Sequence, residues 1–208
     1  MDRLSTAYRL IFPRKTVENY AIKGNAVGSN LTAFTLCFFV KPNYTAPYGA
    51  QCLYSYATPG VDNAIYVCLT DPKIDLHVGN GVRVRTYVTL NKSRWNHICL
   101  TWENTNGVWQ LYKNGQLVEN GTGMSKNYVI LSGGTAVIGQ DQDKMGGGFR
   151  KKDAFGPGEV TELNLWDSVL SASDIAAQHT NCTLTTGLVH FWAQFKDGVN
   201  GAAQVEQP

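Results

Sequence analysis

The segment His97-Ile-Cys99-Leu-Thr101-Trp102 has the alternation of a strand with one face buried, and it carries a cysteine at its centre. A second strand-like run far upstream, Phe34-Thr-Leu-Cys37-Phe-Phe-Val40, offers Cys99 a partner. A bridge between them would pin two strands remote in sequence. It would contribute about 4 kcal/mol by restricting the unfolded chain, and it would persist only outside the reducing cytosol. Read from these residues alone, two buried thiols remain the alternative.

Outward from this segment, short apolar runs separated by Gly and Asn turns fill the chain. Strands are predicted over 34–41, 52–58, 64–69, 82–90, 97–102, 108–113, 136–140 and 160–166. Asn-Gly recurs at positions 80, 106, 114, 120 and 200. That dipeptide favours the positive φ angles of tight hairpins, so Trp109-Gln-Leu-Tyr-Lys113, Asn-Gly, Gln116-Leu-Val118 reads as the clearest hairpin. Strands with alternating faces need two sheets to bury one face each. One helix is predicted where Ser171-Ala-Ser-Asp174 supplies a capping pattern ahead of Ile175-Ala-Ala-Gln-His179.

The chain has 208 residues, and no linker-like composition divides it, so residues 1–208 read as one domain. Charged residues are 16% of the total and the net charge is +2. With no basic stripe interleaved with aromatics, no nucleic-acid partner is expected. No apolar run approaches the ~20 residues of a membrane span, and Met1-Asp2-Arg3 lacks a signal peptide's apolar stretch, so secretion is argued from the cysteines. Sequons at Asn30, Asn43, Asn91, Asn120 and Asn181 suit a glycoprotein and add weak support. A hairpin centred near Gly60 makes Cys52 and Cys68 direct neighbours, suited to a cross-strand disulfide or to two adjacent thiols. Cys182 is left over.

Gly139-Gln-Asp141-Gln142-Asp143 follows a predicted strand, with Gly146-Gly-Gly148 just beyond. Alternate residues of an extended segment point the same way, so Asp141 and Asp143 converge while the Gln142 carbonyl lies between them. Close carboxylates repel unless a cation sits there, and oxygen ligands in an adaptable loop suit Ca²⁺ at about 2.4 Å. A solvated loop shows the same pattern. Asp62-Asn63, at the tip of the predicted hairpin, could add oxygens, though it is also an ordinary turn pair. A glycosidase pair would need a flanking aromatic strand and a protonated partner, so no enzymatic activity is expected. The four histidines lack metal-ligand spacing, and His97 reads as a core histidine. Trp95, Trp102, Trp109, Trp166 and Trp192 read as core packing, with Trp102 near the Cys37–Cys99 bridge.

His97-any-Cys99-any-Thr101-Trp102 resembles the pentraxin signature, departing from it at Asn104, where the signature has Ser or Thr. Ser55-Tyr-Ala-Thr-Pro-Gly-Val-Asp62-Asn63 and Ile138-Gly-Gln-Asp141-Gln142-Asp143 are similar to that family's calcium loops. Glu159-Val-Thr-Glu-Leu-Asn-Leu-Trp166-Asp167 and Leu170-Ser-Ala-Ser-Asp-Ile175 resemble its last core strands and its single helix. The chain is thus identified as a member of the pentraxin family, that of C-reactive protein and serum amyloid P component.

The resemblance implies an all-β, two-sheet antiparallel jelly-roll sandwich of lectin/laminin-G-like type, with one short helix near 171–179. It also implies a Cys37–Cys99 bridge and a secreted, lectin-like protein of innate immunity that forms a cyclic homo-oligomer, a pentamer being favoured. Calcium would be held by Asp62, Asn63, Asp141, the carbonyl of Gln142, and Asp143. A second calcium would share Asp141 and Asp143, but Arg150 and Asp153 stand where the family has glutamate and glutamine. A guanidinium cannot ligate a cation. One calcium site is therefore expected, with Asp153 a ligand only if a second ion binds.

Strand parity points Ile65, Val67 and Leu69 to the core and leaves Ala64, Tyr66 and Cys68 beside Asp62. Phosphocholine-binding relatives place an aromatic at the Cys68 position and an acid near Val82. Neither is present here, which argues against choline recognition. His77 falls near a third pocket position. With Tyr66, His77, Arg150 and Lys151, and with Lys152 beside them, anionic glycans, phosphate or phospholipid head groups are the expected ligands. The alternative is a protein-interaction module of a larger cell-surface or matrix protein, with calcium structural or absent.

Overall fold

The computed structural model describes residues 8–43, 49–70, 73–79, 83–182 and 184–207. Among these, one antiparallel sheet runs β10 (Gln116–Gly121), β9 (Trp109–Lys113), β8 (Asn96–Glu103), β3 (Ala33–Pro42), β12 (Gly158–Trp166), β1 (Arg9–Phe12) and β15 (Gln204–Glu206). A short β13 (Leu188–His190) also pairs with β12. The other runs β14 (Val199–Asn200), β2 (Tyr20–Lys23), β11 (Thr135–Ile138), β4 (Ala50–Thr58), β5 (Val61–Thr70), β6 (Lys73–Val78) and β7 (Val84–Arg85). Strands distant in sequence sit side by side in both sheets, as in the jelly-roll sandwich the resemblance implies.

Period-two alternation builds the core. Phe34, Leu36, Phe38 and Val40 of β3 and Ile98, Leu100 and Trp102 of β8 turn inward, where they join Tyr54, Tyr56, Ile65, Val67 and Leu76 from the opposing sheet. The odd-numbered neighbours turn outward. Cys37 and Cys99 face each other directly across β3 and β8 and are bridged. Around the bridge lie Tyr112, Trp166, Leu170 and Ile175. Trp102 is three residues from Cys99 and therefore on the other face, so Trp166, rather than Trp102, belongs to the bridge's cluster. Trp95 is 37% exposed, with the Lys41 ammonium 5.9 Å above its ring, and is not core.

The helix α1 (Ala172–Asn181) forms where expected. The Ser171 hydroxyl accepts from the Asp174 N–H at 3.1 Å, and Ile175 anchors the helix over the bridge. A 3₁₀ helix at Trp192–Gly198, buried through Trp192 and Phe195, was not foreseen. Of the predicted strand 82–90, only Val84–Arg85 pairs, and Val82 lies outside the described residues. The reason is local: the N–H groups of Tyr87 and Val88 are taken by the Glu119 carboxylate and the Thr86 hydroxyl rather than by a neighbouring strand. The strand predicted over 136–140 stops at Ile138, because Gly139 adopts φ +91°. A Cβ there would stand 2.5 Å from the Phe12 ring. The strand Lys73–Val78 was missed, although Ile74, Leu76 and Val78 alternate into the core.

Two buried histidines make stability depend on pH. Burial lowers His190 to about 3; it is wholly enclosed, with Nε2 3.3 Å from the Tyr54 hydroxyl. Burial, and then His179, lower His97 to about 4. Both folded values lie below the unfolded value near 6.5, so the unfolded chain takes up protons first as pH falls. The stabilisation is complete above that pH and is lost on going down toward the folded values.

Between pH 7 and 5 each histidine should therefore cost about 2 kcal/mol of unfolding free energy. In urea titrations, His190→Gln should reduce the pH 7-to-5 loss by about that amount, and an unchanged pH dependence would refute the assignment. The bridge Cys37–Cys99 spans a sequence separation of 62, and Cys52–Cys68 one of 16. Removing the first pair should cost about 4 kcal/mol and the second about 3 kcal/mol by the same titration. A larger loss for the shorter loop would show that chain restriction is not the governing effect.

Candidate functional site

Two hairpin registers place the site. Between β4 and β5, Ala50, Gln51 and Cys52 face Thr70, Leu69 and Cys68, as a hairpin centred on Gly60 requires. The register then slips by one, so that Tyr54 meets Val67 and Ser55 meets Tyr66. Cys52 and Cys68 are bridged, and with Tyr66 and Ala50 they form a small cluster on the outer face. Ile65, Val67 and Leu69 face the core as expected. Ala64, expected on the outer face, instead belongs to the core, beside a second register shift between Tyr56 and Thr58.

The loop after β11 alternates strictly. Gln140 and Gln142 are fully buried, whereas Asp141 and Asp143 are partly exposed. The Gln142 amide donates to the Ser55 carbonyl at 3.1 Å and to the Thr135 carbonyl at 3.0 Å, while its Oε1 accepts the Gly146 N–H at 2.7 Å. The Gln140 amide donates to the carbonyls of Thr16 and Asn19, both at 2.8 Å. These two side chains bolt the loop to β4 and to the 16–19 segment, so its carboxylates turn outward together. The sequence reading used only the Gln142 carbonyl and overlooked this anchoring. Asp153 is tied in by its carbonyl, which accepts the Cys52 N–H at 2.8 Å.

Asp62 and Asn63 open β5, and the charge of Asp62 reaches Asp141 in this loop. Burial raises the Asp141 carboxyl to about 6. The charges of Asp143, Asp153 and Asp62 act in the same direction, against Arg150. Asp141 Oδ1 and Asn63 Oδ1 are buried acceptors with no partner. Arg150 grips Asp143 through Nε and Nη2, one to each carboxylate oxygen. Among the described residues, no three acidic side chains have oxygens all within 4.8 Å of one another. The group that does approach so closely, Cys37, His97 and Cys99, contains a disulfide and so offers no thiolate.

An open cavity of about 580 Å³ adjoins the loop. Of the expected residues it is lined by Tyr66, Asp141, Arg150 and Asp153, but not by Asp62, Asn63, Gln142, Asp143, His77 or Lys151. His77 lies directly opposite Tyr66 on β6, with the ring centroids 6.4 Å apart. Lys151 is exposed on the loop, and Lys152 takes its place in the wall.

Arg83 and Arg85 were missed. Their signal was the alternation Arg83-Val-Arg85, opposite Asp75 in Lys73-Ile-Asp-Leu. A ladder of cross-strand pairs runs Cys52, Cys68, Asp75, Arg85 across β4 to β7. The Asp75 side chain is fully buried and accepts from Arg85 Nε and Nη2 at 3.0 and 3.3 Å, and Arg83 Nη2 pairs with its Oδ2.

A buried carboxylate stripped of its partners is costly. Arg83→Ala with Arg85→Ala should lose about 3–5 kcal/mol in urea titrations, and adding Asp75→Asn should restore part of that. No recovery on adding Asp75→Asn would show that Asp75 is not balanced by this pair.

The comparisons with known proteins agree with this fold. The Pentaxin family profile matches residues 9–207. The rat Sushi, von Willebrand factor type A, EGF and pentraxin domain-containing protein 1 is 32% identical over 97% of this chain, which spans 6% of that relative. Human neuronal pentraxin-1 is 30% identical over 97% of the chain, which spans 46% of it. The chain thus covers less than half of either relative. In fold it is similar to the native heptameric SAP-like pentraxin from Limulus polyphemus, with a TM-score of 0.82 and 23% identity over 100% of this chain and 97% of that one. With its fold, its signature segment and nearly its whole length matched, the chain belongs to the pentaxin family.

Proposed function

We propose that residues 1–208 form one secreted pentaxin-like domain that recognises anionic or phosphorylated groups on glycans or cell surfaces through a single calcium ion, and that it has no enzymatic activity. The observation that carries this reading is the pair of buried, unpartnered oxygens, Asp141 Oδ1 and Asn63 Oδ1, beside mutually repelling carboxylates. Leaving such acceptors unpaired is costly, and a hard cation satisfies both at once. Asp62, Asn63, Asp141, the Gln142 carbonyl and Asp143 would hold it. When bound, calcium supplies positive charge and open coordination positions for a ligand's oxyanion.

Arg150 takes the place of a second calcium. Its guanidinium already neutralises Asp143, and each Asp143 oxygen keeps a further lone pair for one metal. Asp153 would ligate only if a second ion entered. Choline is disfavoured, since Cys68 is locked in a disulfide where an aromatic would be needed. Multivalence from a ring would compensate for weak single sites. The Limulus relative is heptameric; a cyclic homo-oligomer, of five members or another number, is proposed here. Secretion and glycosylation are supported by two disulfides and by the exposure of Asn30, Asn43, Asn91, Asn120 and Asn181. No helix among the described residues is long and apolar enough to cross a membrane.

A second reading, a protein-interaction module within a larger cell-surface or matrix protein, is favoured by the chain's matching only 6% of a multidomain relative. Calorimetric titration should give one calcium per chain, with Asp141→Asn weakening binding at least 100-fold and Arg150→Glu raising the stoichiometry to two. Binding to phosphatidylserine vesicles or sulfated glycans should weaken tenfold or more in chelator. Ligand binding that chelator leaves at full strength would favour the second reading.

A further inference from the structure

We infer that Arg83 and Arg85 form a second oxyanion-binding position that works without calcium, so that the cavity is built for a ligand carrying two oxyanion groups on one short scaffold. The argument begins with charge. One buried carboxylate needs one guanidinium to balance it, yet Asp75 holds two. The surplus positive charge faces the cavity, because the Arg83 and Arg85 side chains are 46% and 55% exposed above an Asp75 side chain at 0%.

Geometry makes the surplus usable. Arg85 spends Nε and Nη2 on Asp75, leaving its Nη1 edge. Arg83 spends Nη2 on Asp75 and on the Tyr66 hydroxyl at 3.4 Å, leaving Nε and Nη1. Its guanidinium also lies 5.6 Å from the Tyr66 ring centroid. Guanidinium groups held by a buried anion and an aromatic face have lost their rotational freedom before any ligand arrives, so less entropy is lost on binding. Their free N–H groups form a ready fork for phosphate or sulfate oxygens.

Arg83, Arg85, Tyr66 and Asp141 share the walls of one cavity, and Tyr66 feels the charges of Arg83, Asp141 and Asp75 together. Elsewhere in the wall the basic groups are balanced: Arg150 by Asp143, and Lys152 by Asp153 at 3.9 Å. The cavity therefore has two anion-seeking ends. One is the calcium loop, which rests on the function proposed above; the other is the Arg83–Arg85 pair, which does not.

The probes are a disaccharide sulfated on both rings, its monosulfated parent, and, to separate phosphate from sulfate, fructose 1,6-bisphosphate against fructose 6-phosphate. Calorimetry is run in calcium and in chelator on the wild type, Arg85→Gln and Arg83→Lys with Arg85→Lys. Thermal melts confirm that each variant is folded. In calcium, the wild type should bind the doubly charged member of at least one pair tenfold or more tighter than the singly charged one. Both variants should lose most of that preference. In chelator, weak binding of the single anion should persist and fall several-fold in Arg85→Gln. The inference is overturned if calcium binds and the wild type treats mono- and dianions alike, or if folded Arg85→Gln keeps the full preference. If no calcium binds, yet chelator-insensitive anion binding falls in Arg85→Gln, the arginine position stands and the calcium reading alone fails.

Discussion

Repulsion among Asp62, Asp141, Asp143 and Asp153 is the constraint around which this face of the sandwich is organised. Like charges in a half-buried setting separate unless the backbone holds them or a cation joins them. The backbone restraint is visible. Gln140 and Gln142 reach into the protein and hydrogen-bond carbonyls of other segments, so Asp141 between them cannot turn away. Gly148, at φ +74°, lets the returning loop pass close beneath Asp143, where a Cβ would stand 2.9 Å from the Asp143 Cβ. Arg150 relieves one charge, and Asp141 retains a buried oxygen without a partner.

The two disulfides serve different parts of this scheme. Cys37–Cys99 lies on the outer face of one sheet under the helix, on the side of the fold away from the acidic loop's sheet, and it fixes strands far apart in sequence. Cys52–Cys68 lies beneath the candidate site, next to Tyr66 and in register with Asp75 and Arg85. It stiffens the strand pair from which Asp62, Asn63 and Tyr66 project. With a disulfide in that position, Cys68 presents no aromatic face to the site. Arginines, a lysine and aspartates line the cavity together with Tyr66, Thr70, Gly49 and Ala50.

Sheet pairing was legible wherever alternation and turn chemistry agreed. The Asn114-Gly115 hairpin and the approach of Cys52 to Cys68 follow from a period of two and a turn position, whereas the bridging of Cys37 and Cys99, on strands that no turn joins, was implied by the family resemblance. Trp102 was misplaced because its parity relative to Cys99 was not counted. The strand expected over 82–90 shrank because side-chain acceptors captured its amides, an interaction set by Glu119 in a distant strand. The acidic half of the candidate site could be read from the residue alternation and the family resemblance. The basic half could not, because Arg83 and Arg85 acquire meaning only through Asp75 on the neighbouring strand, and β6 had not been recognised. Arg150 was read as an obstacle to a second cation, and its pairing with Asp143 needed the loop's fold.

The most direct measurement is a crystal structure of the chain grown in millimolar calcium. The proposed reading predicts one ion within about 2.4 Å of oxygens from Asp62, Asn63, Asp141 and Asp143, with Arg150 still on Asp143 and no second ion beside it. A well-ordered loop with Asp62 turned away from Asp141 and no ion between them would contradict it.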